Sequence, residues 1–562
     1  MVVTAQKRTS TVQDTPISIT ALTGNEIQSR GFTDFTALAE SVPGISMKTS
    51  GPGQTEFELR GLTSSGGNSP TVGFYLDDTP LSAPANAQNG KVVIDPNLYD
   101  LNRVEVLRGP QGTLCGAGSM GGTIKVVTNA PDPSAFDVSS QLILSGTDGG
   151  GFNHAENGMI NLPFGGGNLA LRIVGSFDHQ SGWIDRIVTA APDFPLETNG
   201  NMTRGNVLAA PVAADHKRVN SEDLSGVRAA LLWKPTDRLS VTPTFFSQKI
   251  TQDGLSDFDS DPGTLASYQP FDIPEPYTDR FDLGTLNVQY HFDAADVASQ
   301  TSYWTRDSEV RQDGSEELQQ VLSAALQPFG CPFPLPFYTN EPCGLGPTTP
   351  TPFEDDRSSQ ITEELNPWFL SLLSVLATAL ERCAAVRGLT LRFQFFDEYR
   401  ERGHLWQRTR AECDPFTRLG PFRERRLHAR TVHCEQRAAR GCAANGLAVQ
   451  DVPKWTSAAS LAYSHPITHG LDFTARFDST YTASRTQVTN ALQTLPNYSL
   501  SSLRVGVDGS GWTATVFASN VFDKVAWLSY AYQINVGIPT FRRVSMAPPR
   551  TVGVEFTYRL DH

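Results

Sequence analysis

From residue 133 onward, much of the chain alternates apolar and polar positions in runs of about ten residues. Residues 159–164 and 169–177 flank Gly165, Gly166 and Gly167; residues 227–233 and 239–246 flank a turn at 234–238; residues 286–292 and 297–304 flank another at 293–296. Much longer connections, 184–220 and 248–278, separate these hairpins. A period of two predicts strands with one apolar face. Short turns on one rim and long loops on the other predict an antiparallel transmembrane barrel. A soluble β-rich binding protein is the alternative, although a β-sandwich has no need of that asymmetry. The pattern returns at 456–463, 471–481, 499–507, 513–517 and 551–560. In the final run Val552, Val554, Phe556 and Tyr558 share a face, and the outward set is defined only to within one residue.

The first 132 residues read differently, as a small α+β domain. A strand at 18–22 leads into Thr23 and Glu26, a capping box for a short helix through Ser29. A second helix, 33–41, stops at Val42, Pro43 and Gly44. Strands at 57–62 and 71–76 are separated by the polar stretch 64–70, and Asp77, Asp78, Thr79 and Pro80 form a turn. Residues 104–107 and 123–128 are strand-like and bracket Gly109, Gly112, Gly116, Gly118, Gly121 and Gly122, a density that implies close backbone approach. Gly116, Gly118 and Gly121 also fit a dinucleotide fingerprint, with Asp137 downstream. That fingerprint needs a helix opening at the glycines. The β-branched run Thr123-Ile124-Lys125-Val126-Val127-Thr128 predicts a strand instead.

Composition narrows the partners. The chain has 562 residues, a net charge of −14 and a pI near 5.2, which argues against nucleic acid. Its mean hydropathy of −0.27 suits a soluble protein, but also a barrel with one apolar face and polar loops. The longest uncharged apolar run, 368–380, is too short for a spanning helix. No leader is legible after Met1, so the chain reads as mature, trimmed or mis-started. Of seven cysteines, Cys331 and Cys343 could close an external loop or remain thiols. The stretch 253–261 holds Asp253, Asp257, Asp259 and Asp261. Pro262 and Tyr268 occupy positions where a calcium loop requires Gly and Glu, so a solvated external loop is expected. Cys413, His428, His433, Cys434 and Cys442 match no zinc spacing. Neither a metal site, a cofactor site nor a catalytic group is expected.

Five motifs in order, TPISIT, VPGI, Arg60-Gly61, VGFYLDD and VEVLRGPQG, resemble the plug domain of TonB-dependent outer-membrane receptors across about 130 residues. Asn102 and Cys115 depart from the acidic and aromatic residues usual there. Val2, Val3, Thr4 and Ala5, followed by Gln6-Lys7-Arg8, resemble the end of the TonB box. Asn520-Val521-Phe522-Asp523-Lys524 resembles the family's N-L-F-D-K turn, and Leu560-Asp561-His562 replaces the usual terminal aromatic. The resemblance implies a plug at 1–132 and a barrel at 133–562 in the outer membrane of a Gram-negative bacterium. It implies active uptake of a scarce solute such as a ferric siderophore, not enzymatic activity. Val2–Ala5 would contact TonB, and lipid would surround the barrel. Ser64, Ser65, Gly66, Gly67, Asn68, Ser69, Pro80 and Asn86 would face the ligand, with Asp253, Asp257, Asp259 and Asp261 opposite. Arg60 and Arg108 would lock the plug.

Residues 366–444 break the pattern. Within 381–450 there are fourteen Arg, no Lys and four of the seven Cys. Gln360-Ile361-Thr362-Glu363-Glu364-Leu365 resembles one family strand and Asp451-Val452-Pro453-Lys454-Trp455-Thr456 a much later one. The stretch between them reads as an out-of-frame translation with a deletion, or as an inserted basic helical domain. The family's barrel has about twenty-two strands against roughly fourteen strand-like runs here. The expectation is a barrel that is open, distorted or closed with fewer strands, with 370–440 irregular or helical outside its wall.

Overall fold

The computed structural model describes residues 2–4, 10–13, 15, 17–42, 44–62, 70–81, 93–116, 118–189, 211–260, 263–269, 271–293, 295–313, 353–365, 452–468, 470–487, 493–530 and 543–561. The chain divides into two compact units, 1–367 with 448–562, and 368–447. The second unit, the atypical Arg-rich segment and the Cys331–Cys343 pair lie outside the described residues.

The N-terminal domain is built on the elements β1 (Ser18–Thr23), α1 (Gly24–Arg30), α2 (Phe35–Ser41), β2 (Ile45–Thr49), β3 (Thr55–Leu59), β4 (Val72–Leu76), β5 (Thr79–Pro80), β6 (Leu101–Arg108), α3 (Gly112–Cys115) and β7 (Gly122–Thr128). A five-stranded sheet runs in the order β1, β6, β7, β4, β5, and β2 pairs separately with β3. The capping box forms: Thr23 Oγ1 accepts from the Glu26 amide at 3.1 Å and Glu26 Oε2 accepts from the Thr23 amide at 3.0 Å. The second helix starts later than its apolar pattern suggests, because Asp34 is the residue that caps it, through the Ala37 amide at 2.8 Å. β7 follows the glycine loop as a strand, parallel to β4 and antiparallel to β6. It leaves no helix N-terminus for a dinucleotide. Phe35, Phe57 and Phe74 pack as a ring cluster at the centre of this domain.

Among the described residues thirteen long strands follow: β8 (Asp137–Thr147), β9 (Phe152–Phe164), β10 (Leu169–Gln180), β11 (Glu222–Thr236), β12 (Leu239–Gln252), β13 (Tyr277–His291), β14 (Asp296–Arg311), β15 (Phe353–Leu365), β16 (Thr456–Thr468), β17 (Leu471–Thr482), β18 (Tyr498–Gly509), β19 (Trp512–Ser519) and β20 (Thr551–Asp561). Apart from β15 and β16, each pairs antiparallel with its neighbours in sequence, and the first pairs with the last through Asp137↔Asp561 to Thr147↔Thr551. Among the described residues β15 pairs only with β14 and β16 only with β17, so the sheet's two edges flank the atypical segment.

Register resolves the ambiguous face. Val552, Val554, Phe556 and Tyr558 are exposed on the outside, while Glu555 and Thr557 are buried inside. Phe164, Trp233 and Phe292 stand exposed at the short-turn rim, where an aromatic girdle belongs. The connection expected at 248–278 is shorter than predicted, since β12 continues to Gln252 and β13 begins at Tyr277, whereas the one expected at 184–220 runs from Gln180 to Glu222. Gln248, Ile250 and Gln252 are buried inward-facing positions, and the polarity of the two glutamines disguised the strand as a loop. Small sheets fill much of the remainder: Asp185–Thr189 pairs with Val212–His216 and Ala266–Gln269, and Asp257–Asp259 with Arg543–Met546, which pairs in turn with Trp527–Tyr530.

Candidate functional site

The N-terminal domain sits against the inner face of the large sheet, and its contacts there differ from one flank to the other. On β12, β13 and β14 the contact is an apolar cluster ringed by buried hydrogen bonds. Phe246, Phe281, Leu283 and Trp304 are buried in one cluster with the domain's own core. Gly53, at φ +69°, brings its backbone against this wall, and its carbonyl accepts from Tyr277 Oη at 2.8 Å and Arg306 Nη2 at 2.9 Å. Gln248 donates to the Asp95 carbonyl at 2.7 Å and accepts from the Asn97 amide at 3.1 Å. Trp304 Nε1 donates to the Pro80 carbonyl at 3.2 Å.

The other flank is polar. Asp100 receives two barrel arginines: Arg172 Nε donates to its carboxylate at 2.9 Å, and Arg228 donates to its carboxylate and, at 3.1 Å, to its carbonyl. Tyr99 Oη and Ser139 Oγ are 2.7 Å apart, and Arg559 donates to Gln28. A cavity of about 700 Å³ runs along this side. Burial pushes the Asp95 carboxyl up to about 7. Its Oδ2 accepts from the Gly53 amide at 2.6 Å, while Oδ1 has no hydrogen-bond partner among the described residues. Burial, with the Asp34 charge adding to it, pushes Glu40 up to about 8.

The sequence-predicted residues are distributed as follows. Val2 and Val3 pair with Ser10 and Thr11, and the Thr4 amide donates to Glu105 Oε1 at 2.8 Å on the domain's central sheet. Arg103 Nη2 and Lys125 Nζ both donate to Thr4 Oγ1, at 2.9 and 3.1 Å. Ala5, Ser64, Ser65, Gly66, Gly67, Asn68, Ser69, Asn86 and Asp261 lie outside the described residues. Pro80 lies by the barrel wall, through its bond from Trp304. Arg108 Nη2 donates to Thr20 Oγ1 at 3.0 Å, and Arg60, exposed and at φ +54°, lays its guanidinium beside Gly109. Among the described residues, the barrel arginines that share a carboxylate of the domain are Arg172 and Arg228. They stand at inward positions of β10 and β11, and a charge on the inner face of a strand is the signal that could have found them.

The acidic stretch is corrected outright. Asp253 is exposed and accepts from Ser221, but Asp257 and Asp259 are 3% and 2% exposed rather than solvated. Their strand pairs with Arg543–Met546, which brings Arg543 within 3.9 Å of Asp257 and 3.8 Å of Asp259, with Glu275 at 2.9 Å. Arg543 lies far along the chain, so the local acidity looked solvent-directed. Phe258, Ile184, Val544 and Met546 give this cap an apolar core. Ser529, on the adjoining strand, accepts from the Thr49 amide at 3.2 Å and so ties the cap to the N-terminal domain.

Geometry alone defines the class: an antiparallel barrel sheet with an N-terminal α+β domain seated within it. Residues 11–123 match the family model described as TonB-dependent Receptor Plug Domain. The pesticin receptor of Yersinia pestis is 34% identical over 135 residues, 24% of this chain and 19% of that one. The iron-regulated outer membrane virulence protein of Vibrio cholerae is 31% identical over 132 residues, 23% of this chain and 20% of that one. The chain thus aligns with about a fifth of the length of these curated relatives. Among solved structures, the ferripyoverdine receptor of Pseudomonas aeruginosa superposes with a TM-score of 0.52 at 12% identity, covering 100% of this chain and 89% of that one. The ferric citrate transporter in unliganded form gives 0.55 at 11% identity, covering 97% of each. Residues 11–123 thus carry the sequence likeness to a TonB-dependent receptor plug, and the chain as a whole carries the fold of these solved outer-membrane proteins.

Proposed function

We propose that the protein takes up a scarce, large solute, a ferric siderophore-type chelate, across the outer membrane of a Gram-negative bacterium, driven through TonB. The observation that supports this reading most is the plug seated inside the barrel sheet, with an extended N-terminal segment docked on its central strands. In this reading residues 1–132 are the plug, and 133–562 the barrel interrupted at 366–444. Val2, Val3, Thr4 and Ala5 contact TonB by strand addition, where backbone hydrogen bonds supply affinity. Arg60 and Arg108 lock the plug alongside Asp100. The loop carrying Ser64, Ser65, Gly66, Gly67, Asn68 and Ser69, together with Pro80 and Asn86, faces the solute. Asp253 and Asp261 face it from the barrel, while Asp257 and Asp259 hold the cap through Arg543.

The test is iron-limited growth of a receptor-deficient Gram-negative host expressing the full chain, fed a panel of ferric siderophores, with cobalamin and oligosaccharides as competing classes. Growth on one ferric chelate, abolished without TonB, is expected. Deleting residues 2–5 should remove uptake and spare binding. Recovery of the chain in the soluble fraction would overturn the proposal. A second reading, a receptor remnant that inserts without transporting, is favoured by the two edges that β15 and β16 form among the described residues, since unpaired backbone in hydrocarbon costs several kcal/mol per group. Insertion with binding but no uptake would select it.

A further inference from the structure

The cavity beside the plug is as long as the barrel wall. Asp137, Ser139, Gln141, Ile143, Ser145 and Thr147, alternate residues along all of β8, line it from the short-turn rim to the long-loop rim. That is roughly 34 Å of strand. The remaining wall comes from β9, β10 and β11 on one side and β16 to β20 on the other. Among the described residues, β12, β13 and β14 contribute nothing to the lining. Those three strands carry the apolar seat of Phe246, Phe281 and Trp304. The plug therefore meets the barrel through an apolar seat on β12 to β14, to which Tyr498 at the start of β18 adds, and through a polar seam beside the cavity along β8.

Polar contacts across a water-accessible gap separate cheaply, because water replaces each bond as it breaks. Separating the apolar seat exposes aromatic surface and strands the buried donors of Tyr277 and Arg306. We infer that the solute passes along the β8 flank, where the plug parts from the wall while it stays seated on β12 to β14. This rests on the uptake reading and adds the route to it.

The experiment uses the full chain with its seven cysteines replaced by serine and two tethered variants closed by a short bifunctional thiol reagent. One joins Gln28→Cys to Thr557→Cys on the cavity flank, and the other joins Asn97→Cys to Gln248→Cys on the apolar flank. Each is measured before and after closure, for ferric chelate uptake and for the current that rising urea induces across a planar bilayer. The expected result is that the first tether removes at least nine-tenths of both signals and the second removes less than half. Equal effects, the reverse order, or a parent that conducts freely without urea overturn the route. Urea-induced current with the expected tether pattern, but no uptake of any chelate, sinks the uptake reading while leaving the flank assignment standing.

Discussion

The two flanks of the plug hold it by different physics. On β12 to β14, Trp304 is fully buried, Phe281 lies 5.8 Å from it, and Phe246 continues the cluster into the plug core. On β10 and β11, a single carboxylate, Asp100, is shared by Arg172 and Arg228 beside a cavity. The first arrangement resists separation in proportion to area. The second is strong while closed, yet solvent can replace its partners once the gap widens. In the uptake reading, a plug that is held firmly and then parts from the wall has a use for both.

The sharpest way to break this contrast is Trp304→Ala. It removes the largest buried side chain of the apolar seat and the bond to the Pro80 carbonyl, and should cost about 3–5 kcal/mol. Thermal melting in detergent, with protease sensitivity reporting the plug, should show the plug released before the barrel unfolds. On the other flank Asp100→Asn leaves two guanidinium groups facing a neutral amide. Breaking a buried pair costs roughly 3–5 kcal/mol, and access to cavity water should hold the loss to the low end, about 3 kcal/mol. An Asp100→Asn variant losing clearly more than Trp304→Ala would reverse the order of the flanks.

How much of this was legible in the sequence depended on how local each cause was. Thr23 and Glu26 cap a helix three residues away, so their pattern could be read directly, and the glycine loop passed into a strand as Thr123 to Thr128 required. The start of α2 slipped because Asp34, not Thr33, makes the capping bond. Strand ends beyond the membrane were misjudged where inward Gln248 and Gln252 lie within a polar run. The seam was not legible at all. Asp100 meets Arg172 and Arg228 from 72 and 128 residues away, and Asp257 and Asp259 meet Arg543 across most of the barrel, so neither pairing leaves a spacing to read.

A smaller effect comes from protons. Asp95 has a folded pKa of about 7 against 3.8, and Glu40 of about 8 against 4.5, so the folded plug binds more protons than the unfolded chain between those limits. Stability is then greatest below about pH 4 for these two groups and falls as pH rises towards 7 for Asp95 and 8 for Glu40. For Asp95 the loss should be on the order of 1–3 kcal/mol. Melting the plug at pH 5 and pH 8 checks the sign, and Asp95→Asn should flatten the difference. A plug that gains stability from pH 5 to pH 8 through these residues contradicts the burial that raises them.

The finest comparison applies one change to both flanks. Tyr277→Phe and Tyr99→Phe each delete one hydroxyl and leave the ring in place. Tyr277 Oη donates to the Gly53 carbonyl at 2.8 Å in a fully buried setting, where Asp279 and Arg306 also contact it. Its loss leaves those groups short of a partner that water cannot easily supply, and should cost about 1–3 kcal/mol. Tyr99 Oη lies 2.7 Å from Ser139 Oγ at the edge of the cavity, and both residues line that space. Water can take the place of the deleted hydroxyl there, so the net cost should fall to about 0.5 kcal/mol or less. Paired melts of the two variants against the parent measure the difference. Equal losses would mean that the β8 flank is as dry as the β12 to β14 flank, and the asymmetry that the route depends on would go with it.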